Sequence, residues 1–278
     1  MLILLSTPIG NLGDITENVR NALLGDGVFA VEDTRTFKNL LNALNIPFGN
    51  KTITSFHDHS SPRKVNELIK ILENKGELFL VSEAGSPIIS DPGHPLISNA
   101  IEKGHSIRSY SGVCSIIYSL ELSGLPVQPF HFHGFLSREN GKKNKYFSNI
   151  KKIYGTHIIF ESPHRIRKLI GLVLAVVKPS KLVICREISK KFESIYRFED
   201  TLPDEFIAKL PEQGEYVVLF YINSSSIVSD HSFERLRPIA QKILEKGIST
   251  KGMAKLVGEI LNIDSKEVYQ KLIKKGGD

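Results

Sequence analysis

Leu2-Ile3-Leu4-Leu5 runs straight into Ser6-Thr7-Pro8-Ile9-Gly10-Asn11. Four apolar residues followed at once by Thr, Pro, Gly and Asn read as a buried strand stopped by a turn. The same succession occurs three more times in the first part of the chain. Val28–Val31 leads into Glu32-Asp33-Thr34-Arg35, Glu77–Val81 into Ser82-Glu83-Ala84-Gly85-Ser86-Pro87, and Ser106–Tyr110 into Ser111-Gly112-Val113-Cys114-Ser115. A further strand is expected over Thr52–Phe56. Helical patterns separate the strands. One is expected to start at Asp14 as N-cap, with Glu17 at capping-box spacing. Another covers Phe37–Leu44, a third has Pro62 in its first turn, and a fourth covers Leu96–Lys103. Strands alternating with helices through short loops predict βαβ units and a largely parallel sheet. Ligands of such sheets bind beyond the carboxyl ends of the strands, where all four loops fall. Each loop alone is an ordinary turn; four at one edge make a pocket.

The pattern changes after residue 112. An apolar helix is expected over Val113–Leu122, then strands over Phe130–Phe135, His157–Phe160 and Leu182–Arg186. A basic loop, Arg138–Lys145, precedes a short helix, and a longer helix covers Ile166–Val177. Phe192–Phe198 alternates like an exposed antiparallel strand, and Tyr216–Ile222 is expected to close the sheet. Ser224–Ser232 has the composition of a linker, and helical patterns follow over 233–246, 250–261 and 265–275. The expected organisation is an α/β domain over 1–112, a second α/β domain with a mixed sheet over 113–223, and a helical appendage over 233–278.

The 278 residues contain 41% apolar and 24% charged residues, which is globular material. Two cysteines, Cys114 and Cys185, exclude a disulfide scaffold and a Cys-rich metal cluster, and suit a reducing cytoplasm. With no basic leader and no apolar run of the roughly 20 residues a bilayer needs, a soluble cytoplasmic protein is expected, away from any membrane. No P-loop, no dinucleotide fingerprint after a strand, no H-E-x-x-H and no Gly-x-Ser-x-Gly occur, and no metal site is expected. Charge is uneven. Residues 1–110 hold 10 basic against 12 acidic residues, and the rest hold 26 against 18. Arg138–Lys152 carries six basic residues and one acid, and Pro163–Lys191 eight and one. Such stretches are either a solvated surface or the footprint of a polyanion.

Several motifs, in order along the chain, carry a family resemblance. They are Thr7-Pro8-Ile9-Gly10-Asn11-Leu12, Glu32-Asp33-Thr34-Arg35, His57-Asp58-His59, Val81–Pro87, Ser90-Asp91-Pro92-Gly93, Ser123-Gly124-Leu125-Pro126, Gly134-Phe135-Leu136, Phe160-Glu161-Ser162-Pro163-His164-Arg165 and Arg186-Glu187. Together they closely resemble the ribosomal RNA small subunit methyltransferase I family, of the tetrapyrrole (corrin/porphyrin) methylase superfamily, over about residues 1–222. The resemblance implies a two-domain α/β fold, a homodimer, and S-adenosylmethionine bound between the domains. The implied reaction is 2′-O-methylation of a cytidine ribose in small-subunit (16S) rRNA, with that rRNA or the small ribosomal subunit as the partner. A methylase acting on a small macrocycle is the alternative. It also implies that Pro8, Glu83, Gly85, Ser86, Pro87, Gly112, Cys114 and Ser115 line the methionine side of the cofactor. Phe160 and Glu161 would face its adenosine. Glu83 and Ser86 stand where the family loop has Asp and Thr, and Ser111-Gly112-Val113 where it has Pro-Gly-Pro.

A ribose hydroxyl is a poor nucleophile, so a base helps, and a cation positions the substrate. Glu32 and Asp33 beside Arg35 fit those roles; His164 and His57 are alternatives. Glu32-Asp33-Arg35 could equally be a salt-bridged helix cap. The two basic stretches fit phosphate contacts, which set affinity and register. The helical appendage, spaced like a helix-turn-helix over Ser249–Lys271, reads as an auxiliary RNA-contacting module or a structural cap.

Overall fold

A computed structural model of the chain describes residues 1–57, 60–91, 93–199, 202–223, 247, 249–261 and 263–273. The expected linker and the helix over 233–246 lie outside the described residues, as do Asp58, His59 and Pro92. Strands β1 (Leu2–Leu5), β2 (Val28–Val31), β3 (Thr52–Ser55), β4 (Leu78–Val81) and β5 (Ile107–Tyr110) form one sheet in the order β3-β2-β4-β1-β5. Every pairing in it is parallel. The inner strands are buried on both faces, which is why their sequences are continuous apolar runs and not alternating ones.

Successive residues of those strands feed two cores. Leu2, Leu4, Ala30 and Leu80 pack with α3 (Pro62–Lys75) and α4 (Gly93–Glu102). Ile3, Leu5, Phe29 and Val81 pack with α1 (Glu17–Leu24) and α2 (Thr34–Ala43) on the other face. The start of α1 differs from the sequence reading. Thr16, not Asp14, is the N-cap, its hydroxyl accepting the Val19 N–H at 3.4 Å. Asp14 instead ends a 3₁₀ turn, Leu12–Asp14, that Asn11 caps. A nearer hydroxyl and a competing Asn cap displace the capping box.

The second sheet runs β6 (Phe130–Phe135), β7 (Gly155–Glu161), β10 (Tyr216–Ile222), β8 (Lys181–Arg186) and β9 (Ser194–Glu199). Only β6 and β7 pair in parallel. Tyr216–Ile222 therefore does not close the sheet; it is the central strand, and its unbroken apolar run fits burial on both faces. Val218, Phe220 and Ile222 face α6 (Asn140–Ile150) and α7 (Ile166–Leu172). Val217 and Leu219 face α5 (Ser115–Ser123). The expected loop Arg138–Lys145 is helical from Asn140 onward, and α8 (Asp204–Lys209) was not anticipated. Two helices of the appendage, α9 (Thr250–Leu261) and α10 (Ser265–Ile273), pack through Met253, Ala254, Val257 and Val268.

A directional hydrogen-bond chain runs through the β6–β7 face. The Ile153 carbonyl can only accept, so His157 donates to it from Nε2 (2.8 Å) and must accept at Nδ1. His133 Nε2 supplies that proton (2.9 Å), and Tyr146 donates to His133 Nδ1 at 2.5 Å. Burial holds both imidazoles down at about 4, aided at His133 by its His157 and His131 neighbours and at His157 by His131, against the Ile153 hydrogen bond. Both rings are neutral in the folded protein near neutrality. Below the unfolded value of 6.5 the unfolded chain takes up protons that the folded state refuses, so stability is complete above 6.5 and is lost as pH falls toward 4. Calorimetric melting should show Tm falling across that window. His133→Gln, which still donates to His157 and accepts from Tyr146, should flatten the fall.

Candidate active site

The carboxyl ends of β1, β2, β4 and β5 meet as the alternating strands and helices require, and short polar contacts lock their loops together. Thr7 and Gly85 form an isolated antiparallel bridge, with N–H to carbonyl distances of 2.9 and 3.0 Å. The Thr7 hydroxyl donates to the Ser82 carbonyl at 3.2 Å, and the Ser82 hydroxyl donates to the Gly85 carbonyl. Gly85 has φ +81°, and a Cβ there would meet Ile9 Cγ2 at 3.3 Å. Gly112 passes so near Ser6 that a Cβ would lie 3.1 Å from the serine Cβ. Both positions therefore depend on glycine, whose missing Cβ lets the strand-end loops pack closely on one another. Pro8, Gly85 and Pro87 are buried, Ser86, Cys114 and Ser115 half-buried, and Glu83 and Gly112 exposed.

The odd-numbered face of β10 and β8 closes over these loops. Ile9, Ile188, Cys185, Val217 and Leu219 form one buried cluster, against which Val113, Cys114, Phe132 and Phe160 pack. Cys114 and Phe160, predicted from different halves of the chain, thus meet in one apolar wall. Phe160 carries the Phe132 and Phe135 rings edge-on at 4.8 and 5.6 Å. A polar clasp supports the closure, with the Ser189 hydroxyl donating to Asp14 Oδ2 at 2.7 Å.

Glu161 is placed differently from the expectation that it faces a ligand. It is 1% exposed, bonded to Arg165 at 2.5 Å and to the Ser162 N–H at 2.8 Å, with Lys143 Nζ 3.7 Å from its other oxygen. Its carboxylate ties β7 to α6 and the turn before α7. Lys143, only 2% exposed, is likewise no phosphate contact. Much of the second basic stretch is also engaged internally. Arg167 pairs with Glu212, Lys181 with Glu199, and Lys190 with Glu187 and Glu215.

Glu32, at the end of β2, lines two small adjoining depressions. One it shares with Asp33, Thr36, Ser82 and Glu83, the other with Phe56, Ser82, Pro87 and Asp91. Of the two readings the sequence leaves open for Asp33, base or salt-bridged helix cap, its contacts are those of the cap. It N-caps α2, accepting the N–H groups of Arg35 and Thr36 at 2.6 and 3.3 Å, and pairs with the Arg35 guanidinium at 3.0 Å. The Arg35 side chain, then those backbone bonds, hold its carboxyl down at about 2, too acidic for proton abstraction near neutrality. His164 is exposed on the turn before α7 and lines neither depression.

The histidine chain and the Lys143–Glu161–Arg165 cluster escaped the sequence reading. His131 and His133 at period two share a strand face, a signal for the first; nothing local signals the second.

The tetrapyrrole (corrin/porphyrin) methylase family model matches residues 1–204. The ribosomal RNA small subunit methyltransferase I of Vibrio cholerae serotype O1 is 34% identical over 97% of this chain and 93% of its own. The chain belongs to that methyltransferase family. Solved tetrapyrrole methylases share its fold. Cobalt precorrin-4 methyltransferase aligns with a TM-score of 0.57 at 13% identity, covering 79% of this chain and 93% of its own. Uroporphyrin-III C-methyltransferase from Thermus thermophilus, complexed with S-adenosyl homocysteine, gives 0.52 at 14%, covering 80% and 97%. Among the described residues of this methyltransferase no helix is long and apolar enough to cross a membrane.

Removing one partner of a buried ion pair strands the other charge. Glu161→Ala should therefore destabilise by about 3–5 kcal/mol, whereas losing the exposed cap in Asp33→Ala should cost only about 1 kcal/mol. Urea unfolding of both variants checks the contrast.

Proposed function

We propose that the chain transfers the methyl group of S-adenosylmethionine to the ribose 2′-hydroxyl of a cytidine in small-subunit rRNA. The observation that carries this reading is the 34% identity to a ribosomal RNA methyltransferase across 97% of the chain, including the helical appendage. The fit of the donor rests on the convergence of the strand-end loops that carry Gly85 and Gly112 and on the apolar wall to which Cys114 and Phe160 contribute. In this reading Pro8, Glu83, Ser86, Pro87 and Ser115 complete the methionine side. Phe160 faces the adenosine, and Glu161 acts from behind it as a positioning residue.

The bound cofactor supplies an electrophilic methyl group on a sulfonium, so the chain's own work is alignment and proton transfer. Glu32 takes the hydroxyl proton as the oxygen attacks in line. Asp33 holds Arg35 at the mouth, and Arg35 and His164 engage backbone phosphate. Arg138 and Lys145 lie exposed at the start of α6 and extend that footprint. Residues 1–112 and 113–223 act as the two domains around the cofactor, 233–278 as an RNA-contacting module, and the enzyme works as a homodimer in the cytoplasm.

Incubation with labelled S-adenosylmethionine and small ribosomal subunits, followed by nuclease digestion, should place the label on a 2′-O-methylcytidine. Label on a base, or none despite calorimetric cofactor binding, overturns the reading. Glu32→Gln should lower kcat about 10²–10⁴-fold with cofactor binding retained.

A further inference from the structure

Outside the strand-end depressions, α2 carries a second concave surface. Phe37 and Leu41 turn inward, and the opposite face presents Arg35, Lys38, Asn39 and Asn42. Positions 35, 39 and 42 follow helical spacing, so the three side chains stand in one row. The chain then turns back and sets Phe48 beside that row, 37% exposed although its neighbour Ile46 is buried. Arg35, Lys38, Asn39, Asn42 and Phe48 together line an open trough of about 440 Å³. Arg35 belongs to both this trough and the Asp33 cap, and its side chain is 88% exposed despite that pairing. Asp33, which caps α2, and Thr36 in its first turn line the depression that contains Glu32. The trough and the depression at the proposed reacting centre are thus both built on α2 and the residues at its start.

Its chemistry is that of a single-stranded nucleotide site. An exposed aromatic ring stacks any base, amides pair with base edges, and cations neutralise the phosphate. Lys38 Nζ lies 6.0 Å from the Phe48 ring centroid, so a cation and an aromatic face stand side by side at the outer reach of a cation–π contact. We propose that this trough holds an unpaired nucleotide of the RNA flanking the one that is methylated. Its base stacks on Phe48, its edge meets Asn39 and Asn42, and its phosphate is held by Arg35 and Lys38. The proposal deepens the functional reading above, since it supplies a positioning contact for the same substrate.

The test uses the full chain and a fluorescent single-stranded oligoribonucleotide containing cytidine. Phe48→Ala and Asn39→Ala/Asn42→Ala should each raise its dissociation constant about tenfold, as expected for one lost stacking or pairing contact. Phe48→Tyr, which keeps the ring, should bind like the wild type. With small ribosomal subunits as methyl acceptor, the same variants should raise KM and leave both kcat and calorimetric S-adenosylmethionine binding within twofold. Photo-crosslinking of 5-iodouridine-substituted oligoribonucleotide should map to Phe48. Unchanged oligonucleotide binding in Phe48→Ala and in the double variant overturns the trough. A wild-type enzyme that binds the oligonucleotide through Phe48 yet methylates no subunit overturns the functional reading and leaves the trough standing.

Discussion

The apolar cluster that joins Ile9 to the second sheet is the constraint on which the rest of the site depends. Ile9 lies in the first strand-end loop, and its neighbours Cys185, Val217 and Leu219 lie more than 170 residues away in sequence. Burying side chains of this size contributes about 1.5–3 kcal/mol each, so their packing presses the second sheet onto the mouth of the first. Ile188 joins them from a turn whose flanking residues, Glu187 and Ser189, both have positive φ. Such backbone costs of order 1–3 kcal/mol per residue and persists only where the surroundings over-determine it. Here the Ile188 burial and the Ser189–Asp14 bond offset it. Without the cluster, the loops of β1, β4 and β5 would be turns exposed to water.

Charge is organised in two tiers. Inside, the single charge of Glu161 is shared between Lys143 and Arg165, which leaves the cluster one net positive charge and ties β7 to α6 and the turn before α7. A carboxylate buried this deeply is tolerable only because a hydrogen-bonded cation and a backbone N–H replace its water. Outside, the excess of basic residues in the second half is smaller as a free surface than the count suggests, because Arg167, Lys181 and Lys190 are paired with carboxylates. The proposed RNA footprint therefore draws on fewer cations, at the start of α6 and along α2, than the length of the basic stretches implied.

Much of the fold was legible because its signals are local. The turn-rich loops after short apolar runs placed the strands of the parallel sheet to within a residue or two, and period-3.6 patterns placed α3, α9 and α10. The candidate site was legible to the extent that loops at strand ends must converge. What escaped were the roles within it. Asp33 and Glu32 are chemically alike and adjacent, yet one caps a helix and is held strongly acidic while the other lines both depressions. Phe160 and Glu161 are adjacent too, and strand alternation turns the ring toward the apolar wall and the carboxylate into an ion pair.

By itself the sequence determined most of the elements, the parallel character of the first sheet and the family, since each rests on motifs whose residues lie within a few positions of one another. Tertiary structure alone decided that β10 is central, that Thr16 and not Asp14 caps α1, and that Lys143 is buried. It alone also brought Cys114 and Phe160 to one wall. The physical reason is common to all four. Burial and pairing depend on which surface a side chain meets, and that surface is supplied by residues distant along the chain.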